Sequence, residues 1–337
     1  MVLLGWSLLP ARVAPADLVI HEVMYHPEEV WPTNQPAPTP NPTEYIELLN
    51  AGTDTVDLIH YRLDDGVQFS FPASAPIGPG EFVVVCEDRF AFSKAYSGVV
   101  AEVYGDFEGG LRDGGEWIQL SRWTGSEWVV ADRFRYVDGG PTDGTGPSLE
   151  LVHPGFARLD EQGEGAWRPS LAARGTPGAP NGVHDPAPPP AVAWVKHRPL
   201  VPPAGSCVTI TARVTGRDSD AVDTVRLRYR KDALPQNVWQ IATMHDDGLR
   251  GDVRAKDGIF TLRYPEPGDP PMAEGDILEF LIDAIDPQGH RIAPSEHTAG
   301  VQTGLLSYLC YFGEDTGFDG EYDTYRIVMT RSNRSWL

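Results

Sequence analysis

The sequence predicts an all-β chain of two β-sandwiches in tandem, followed by a short C-terminal fragment of a third domain. Three observations predict it. Short apolar and polar alternations recur between turn-forming residues, most clearly in residues 44–66, EYIELLNAGTDTVDLIHYRLDDG. Gly 35 and Pro 31 make up about a fifth of the 337 residues, well above the usual share, which favours turns over long helices. A Pro-rich break at 182–190, GVHDPAPPP, cannot build a ladder and separates two runs of strands.

Taken in order, VIHEVMYHP (19–27) opens the first run. In EYIELL, Tyr45, Glu47 and Leu49 fall on one face of a strand and Ile46 and Leu48 on the other, before a turn at Asn50-Ala51-Gly52. VQFSF (67–71) alternates, PIGPG (76–80) turns, and EFVVVC (81–86) is a compact apolar run that suits a buried strand. The glycine cluster at 105–115 has no lysine and lacks the spacing of a phosphate cradle, so it reads as hairpin turns.

The ordered series VIHEVMYHP, EYIELLN, RLDDG to FSFP, IGPGEFVVVCED (77–88), YGDFEGGLRDGGEWIQL (104–120), GPSLELVHP (146–154) and GTPGAPN (175–181) resembles the lamin tail domain as it occurs in bacterial secreted proteins. The resemblance covers 17–181. It implies an immunoglobulin-like sandwich used for interaction, and it brings no catalytic residues. The Pro-rich insert at 27–42 departs from the pattern and is expected to be a surface loop.

Beyond the linker 182–190, strands are expected at AVAWVKH (191–197), CVTITARVT (207–215), TVRLRYR (224–230), 238–244, 259–263 and ILEFLIDAID (277–286). In TVRLRYR, Val225, Leu227 and Tyr229 face one way and Arg226, Arg228 and Arg230 the other. This order, closing on FLIDAIDPQGH, resembles immunoglobulin-like or fibronectin-like modules, and the second sandwich is assigned to 191–302.

The formal charge of −21 repels phosphate backbones and argues against nucleic acid as a partner. Three cysteines, Cys86, Cys207 and Cys310, are far apart and odd in number, so no disulfide framework is read from them; Cys86 and Cys310 sit in apolar runs and read as buried thiols. No apolar run is long enough to span a bilayer. MVLLGWSLLP (1–10), followed by Ala14-Pro15-Ala16, reads as a signal peptide over 1–16 without a basic start, with a misplaced start codon as the alternative.

One constellation could carry chemistry. In HDDGLRGDVRAKDGIF (245–260), Asp246, Asp247, Asp252 and Asp257 are separated by glycines, so the loop could aim several carboxylates at one hard cation, with calcium the natural ligand. The spacing is not that of an EF-hand, because Gly248 and Arg250 stand where acids are required. Arg250, Arg254 and Lys256 could instead neutralise the aspartates, leaving acidic turn chemistry between two strands.

Other constellations are weaker. His21 and His26 are five apart, against the four of a helical metalloprotease motif. Glu22, Glu44 and Glu47 could pair as acid and base, but they belong to strand motifs and read as sheet carboxylates. Trp117, Trp123 and Trp128 could form a carbohydrate platform, with core and surface packing as the plainer account.

At the C-terminus, DTYRIVMTRSNRSWL (323–337) resembles the opening strand and helix of the CotH kinase-like family, so 303–337 is assigned as the partial start of such a domain. None of that family's nucleotide- or metal-binding residues would be present. The expectation is a non-enzymatic, secreted or cell-surface protein that binds a protein or envelope component. The alternative is the accessory N-terminal part of a truncated kinase-like enzyme, in which the run LLSYLCYF (305–312) would have lost its packing partners.

Overall fold

The structure, a computed structural model, describes residues 18–28, 43–137, 140–157, 165–217, 222–232, 238–292 and 307–313. The signal segment 1–16, most of the insert 27–42 and the kinase-like stretch 323–337 lie outside the described residues. Nearly every element is a strand, and the chain divides into two compact units, Met1–Glu150 with Pro169–Gly182, and Leu151–Arg168 with Val183–Leu337. The division is therefore not one cut after residue 181, because residues 151–168 group with the second unit.

The first unit opens with β1 (Leu18–Met24), β2 (Tyr45–Asn50), β3 (Val56–Asp57), β4 (Tyr61–Asp65), β5 (Val67–Ser70), β6 (Pro76–Ile77) and β7 (Phe82–Cys86). The helix α1 (Arg89–Ala95) follows, then β8 (Glu102–Tyr104), β9 (Glu108–Gly109), β10 (Trp117–Trp123), β11 (Trp128–Arg135) and β12 (Leu149–Leu151), with β13 (Trp167–Pro169) lying at the division between the two stretches of chain. They form a six-stranded sheet, β13-β12-β1-β2-β7-β8, and a five-stranded sheet, β11-β10-β4-β5-β9. The Ile20 amide of the first donates to Asp132 of the second at 2.8 Å, and Tyr25 stacks on Tyr136 at 4.4 Å.

Alternation in EYIELL leads one to expect a half-exposed strand, yet β1, β2 and β12 are buried along their whole length. Ile46, Leu48, Val83 and Val85 fill one face of the six-stranded sheet. On the other face Met24, Tyr45, Val84 and Cys86 pack with Phe92 of α1. No helix is expected here from the sequence pattern. Its signal was Asp88, whose side chain caps the helix by accepting from the Phe90 and Ala91 amides. Burying Phe92 under this cap removes a large ring from water, worth about 1.5–3 kcal/mol.

The second unit carries β14 (Ala191–Arg198), β15 (Val208–Thr215), β16 (Thr224–Lys231), β17 (Gln240–Thr243), β18 (Ile259–Tyr264), β19 (Ile277–Ile285), β20 (Arg291–Ile292) and β21 (Tyr308–Tyr311). A three-stranded sheet, β14-β15-β18, faces a second sheet, β17-β16-β19-β20, with β21 also paired to β19. Val225, Leu227 and Tyr229 point into the shared core with Val208, Ile210, Phe280 and Ile282, as the alternation of TVRLRYR requires.

β21 corrects the boundary placed at 303. Cys310 pairs with Leu278 and Tyr308 with Phe280, and Cys310 and Phe312 are fully buried in this core. The apolar run expected to lack partners therefore completes the second sandwich, because its alternating Tyr308, Cys310 and Phe312 continue the inward face of β19. Burial pushes the Cys86 and Cys310 thiols up to about 12, in line with structural cysteines, whereas Cys207 is exposed.

Candidate functional site

The aspartate loop joins β17 to β18, and its two ends are clamped by backbone bonds between His245 and Thr261. Inside the loop each aspartate caps a turn. Asp246 accepts from the Asp257 and Gly258 amides at 3.2 and 2.9 Å, and Asp252 from the Gly248 and Arg254 amides at 2.6 and 3.3 Å. Gly248, at φ +71°, supplies the left-handed turn that aims its amide at Asp252.

The result brings one oxygen each from Asp246, Asp252 and Asp257 within 4.8 Å of one another. Asp247 is not among them. It is exposed and accepts from the Leu249 amide at 2.8 Å. Arg250 donates to His245 Nε2 at 2.7 Å, and among the described residues no ion pair joins Arg250, Arg254 or Lys256 to these aspartates. Three hard oxygen donors on a glycine-bent loop suit calcium, with backbone carbonyls and water able to complete a shell.

A second cluster assembles in the first unit, on the outward face of the six-stranded sheet. Glu22 of β1, Glu47 of β2 and Glu150 of β12 are each fully buried, with Glu22 opposite Glu47 in one register and opposite Glu150 in the other. Over them lies the strap Arg174–Asn181. Glu22 Oε1 accepts from Tyr45 Oη at 2.6 Å, Ser148 Oγ at 2.5 Å and the Thr176 amide at 2.8 Å. Thr176 Oγ1 donates to Glu150 at 2.9 Å, the Gly178 amide donates to Glu47, and His21 Nδ1 meets Glu47 Oε1 at 2.9 Å. Asn181 Nδ2 donates to the His21 carbonyl at 3.0 Å.

Burial, reinforced by Glu47, raises Glu22 to about 7 against the lowering effect of its hydrogen bonds. Burial likewise raises Glu47 to about 8, with Glu150 adding to it and the Gly178 amide opposing it. Glu44 is also raised to about 7 by burial, against the Leu111 amide, but it stands apart from this cluster. Ser148, Glu150, Thr176 and Gly178 were absent from the candidate residues. The signal that could have found them is the strap sequence GTPGAPN, in which a Cβ on Gly175 would run into Glu22 and one on Gly178 into Val99 and Ala101.

The remaining candidates resolve into packing. His26 leaves His21 and pairs with Asp143 at 2.7 Å. Arg133 lies over the Trp117 ring at 4.6 Å and Arg62 over Trp128 at 4.2 Å, while Trp123 and Trp128 tilt by 53° against each other, so the three indoles make no common plane for a sugar.

Residues 12–138 match the Lamin Tail Domain family, whose members are immunoglobulin-like. The match ends before Ser148, Glu150 and the strap, which the structure adds to the same unit. No curated protein matches the chain. No helix among the described residues is long and apolar enough to cross a membrane.

Proposed function

We propose that the chain is a non-catalytic, secreted or cell-surface protein whose lamin-tail-type and immunoglobulin-like modules bind a protein or envelope component. The observation that carries this reading is the fate of the carboxylates. Glu22 and Glu47, two of the three glutamates that could pair as acid and base from the sequence, lie buried under the strap and are committed to side-chain and backbone donors. A reacting group needs access to substrate, and these have none. The immunoglobulin-like scaffold is a common carrier of interaction surfaces, and this assignment is by analogy of architecture.

The test is saturable binding of the tagged full chain to intact cells or envelope of the source organism, competed by untagged protein. Binding that does not saturate overturns the reading. Secretion is tested separately by the mass of the native protein, since retention of Met1 in protein recovered from the medium or envelope contradicts a signal peptide.

A calcium-stiffened loop in the second unit is compatible with this role. It rests on the convergence of Asp246, Asp252 and Asp257, with no cationic partner for them among the described residues. The accessory role beside a kinase-like domain draws on residues 323–337 alone, and β21 no longer supports it, because residues 308–312 are used within the second sandwich.

A further inference from the structure

We propose that the cleft between the aspartate loop and the end of β18 is an oxyanion site for a small ligand bearing a phosphate or sulfate group, with Arg250 and Arg263 as its cationic walls. This goes beyond the binding role proposed above and needs neither that role nor calcium in the loop. The cleft measures about 400 Å³, within the range of small-ligand pockets, and lies wholly in the second unit. Thr243 of β17, His245, Arg250 and Gly251 of the loop, and Thr261 and Arg263 of β18 line it, with Glu266 beyond the end of the strand.

The setting inverts the charge of the chain. Against a formal −21, the strands β14, β15 and β18 carry Lys196, Arg198, Arg213 and Arg263 and no aspartate or glutamate. Register places Arg198 and Arg263 on either side of Thr209, so two exposed guanidinium groups share the outward face of this sheet. Gly251 brings the loop onto the same face, since a Cβ on it would lie 3.8 Å from the Thr261 methyl and 3.9 Å from that of Thr209. Its neighbour Arg250 thereby adds a third guanidinium.

These cations are not neutralised from within. Arg250 Nη1 donates to His245 Nε2 at 2.7 Å, and an imidazole nitrogen that accepts fixes the guanidinium without cancelling its charge. Among the described residues neither Arg198 nor Arg263 makes an ion pair. Asp246 and Asp252, close by in sequence, engage the loop's own amides. Arg250 also adopts φ +55°, the left-handed region that side chains rarely occupy and that recurs at ligand sites.

The ligand class follows from the donors. Two guanidinium forks with the Thr243 and Thr261 hydroxyls beside them outnumber the two oxygens of a carboxylate and suit the three terminal oxygens of a phosphate or sulfate ester. A long polyanion meets the repulsion of the whole acidic chain. A single group in the cleft feels chiefly the charges within a Debye length, about 8 Å at physiological salt.

The test is calorimetric titration of the full chain with inorganic phosphate and with sulfate, in metal-free buffer at constant ionic strength, with acetate as the comparison. Saturable binding to one site is expected, and the tighter of the two anions tells a phosphate ester from a sulfate ester. Arg250→Gln and Arg263→Gln should each weaken binding at least about tenfold. Glu266→Gln, which removes the acid from the wall, should strengthen it, and Arg226→Gln, at an exposed position on the other sheet, should leave it unchanged. In NMR on the unaltered chain, phosphate should shift the Thr243, Gly251 and Arg263 amides. Binding that does not saturate, acetate bound as tightly as phosphate, equal losses from Arg226→Gln and Arg263→Gln, or shifts confined to other residues overturns the site.

Discussion

The Tyr45 hydroxyl donates to Glu22 Oε1 at 2.6 Å, joining β2 to β1 across the outward face of the six-stranded sheet. The same ring meets Phe92 and Tyr96 edge-on at 5.6 and 5.5 Å, so one side chain ties the acid row to the helix that covers it. Tyr45→Phe keeps the ring contacts and deletes one donor, leaving Glu22 with Ser148 and Thr176. The expected loss is about 1–3 kcal/mol, read as a lower melting temperature of the first unit. An unchanged melting temperature would mean that the bond contributes nothing net.

Gly175 stands where the strap turns over Glu22, at φ +78°. A Cβ there would overlap both Glu22 Oε1 and Tyr45 Oη and lie 2.6 Å from Ser148 Oγ. Gly80 has nearly the same backbone, φ +75°, and a Cβ added to it would meet nothing within 4 Å. Gly80→Ala thus isolates the cost of a left-handed alanine, about 1–2 kcal/mol. Gly175→Ala is expected to exceed it clearly and to unseat the strap, seen as rapid proteolysis between Arg174 and Asn181. Equal effects of the two substitutions would place the strap's hold elsewhere.

The same residues show what a linear sequence discloses. Alternation located β2 and β16, because a strand's side chains follow its own period of two whatever packs against them. It did not disclose that β2 is covered on both faces, since its second cover comes from α1 and from a strap about 130 residues downstream. Asp246, Asp252 and Asp257 were legible as a cluster because they lie on one short loop, whereas Glu22, Ser148 and Thr176 meet only through the sheet and the strap. β21 was misread for a related reason: an apolar run names no partner until its pairing with β19 is seen.

Stability should fall as pH rises through neutrality. Glu22 and Glu47 have folded-state values raised above the ordinary 4.5, so their contribution is fully present below that pH and is lost as pH climbs through about 7 and 8. In calorimetry the melting transition of the first unit is expected to move down between pH 5 and 8, with that of the second unit nearly stationary. A first-unit transition that rises over that window contradicts the burial of these acids in neutral form.

Truncation before Ser307 provides a direct reading of β21. It strips the edge of β19 at Ile277–Phe280 and removes Cys310 and Phe312, both fully buried, from the second core. Loss of Phe312 alone is of the order of 3–5 kcal/mol, and the unpaired edge invites association between chains. The shortened chain is expected to lose its second melting transition or to aggregate. Improved solubility would instead restore the view that this run belongs to an absent domain.

A calcium titration tests the four aspartates by role. Asp246, Asp252 and Asp257 converge, so Asp252→Asn should weaken or abolish binding, while Asp247→Asn should leave it intact because Asp247 serves the Leu249 amide. A ligand held only by the folded loop stabilises by RT ln(1 + [L]/Kd), about 1.4 kcal/mol at a tenfold excess over Kd, and so raises the second transition with calcium concentration. The bonds from Gly248, Arg254, Asp257 and Gly258 already orient the Asp246 and Asp252 carboxylates, so binding needs little rearrangement of them. A second transition that is the same in millimolar calcium and in chelator leaves the loop as turn chemistry alone.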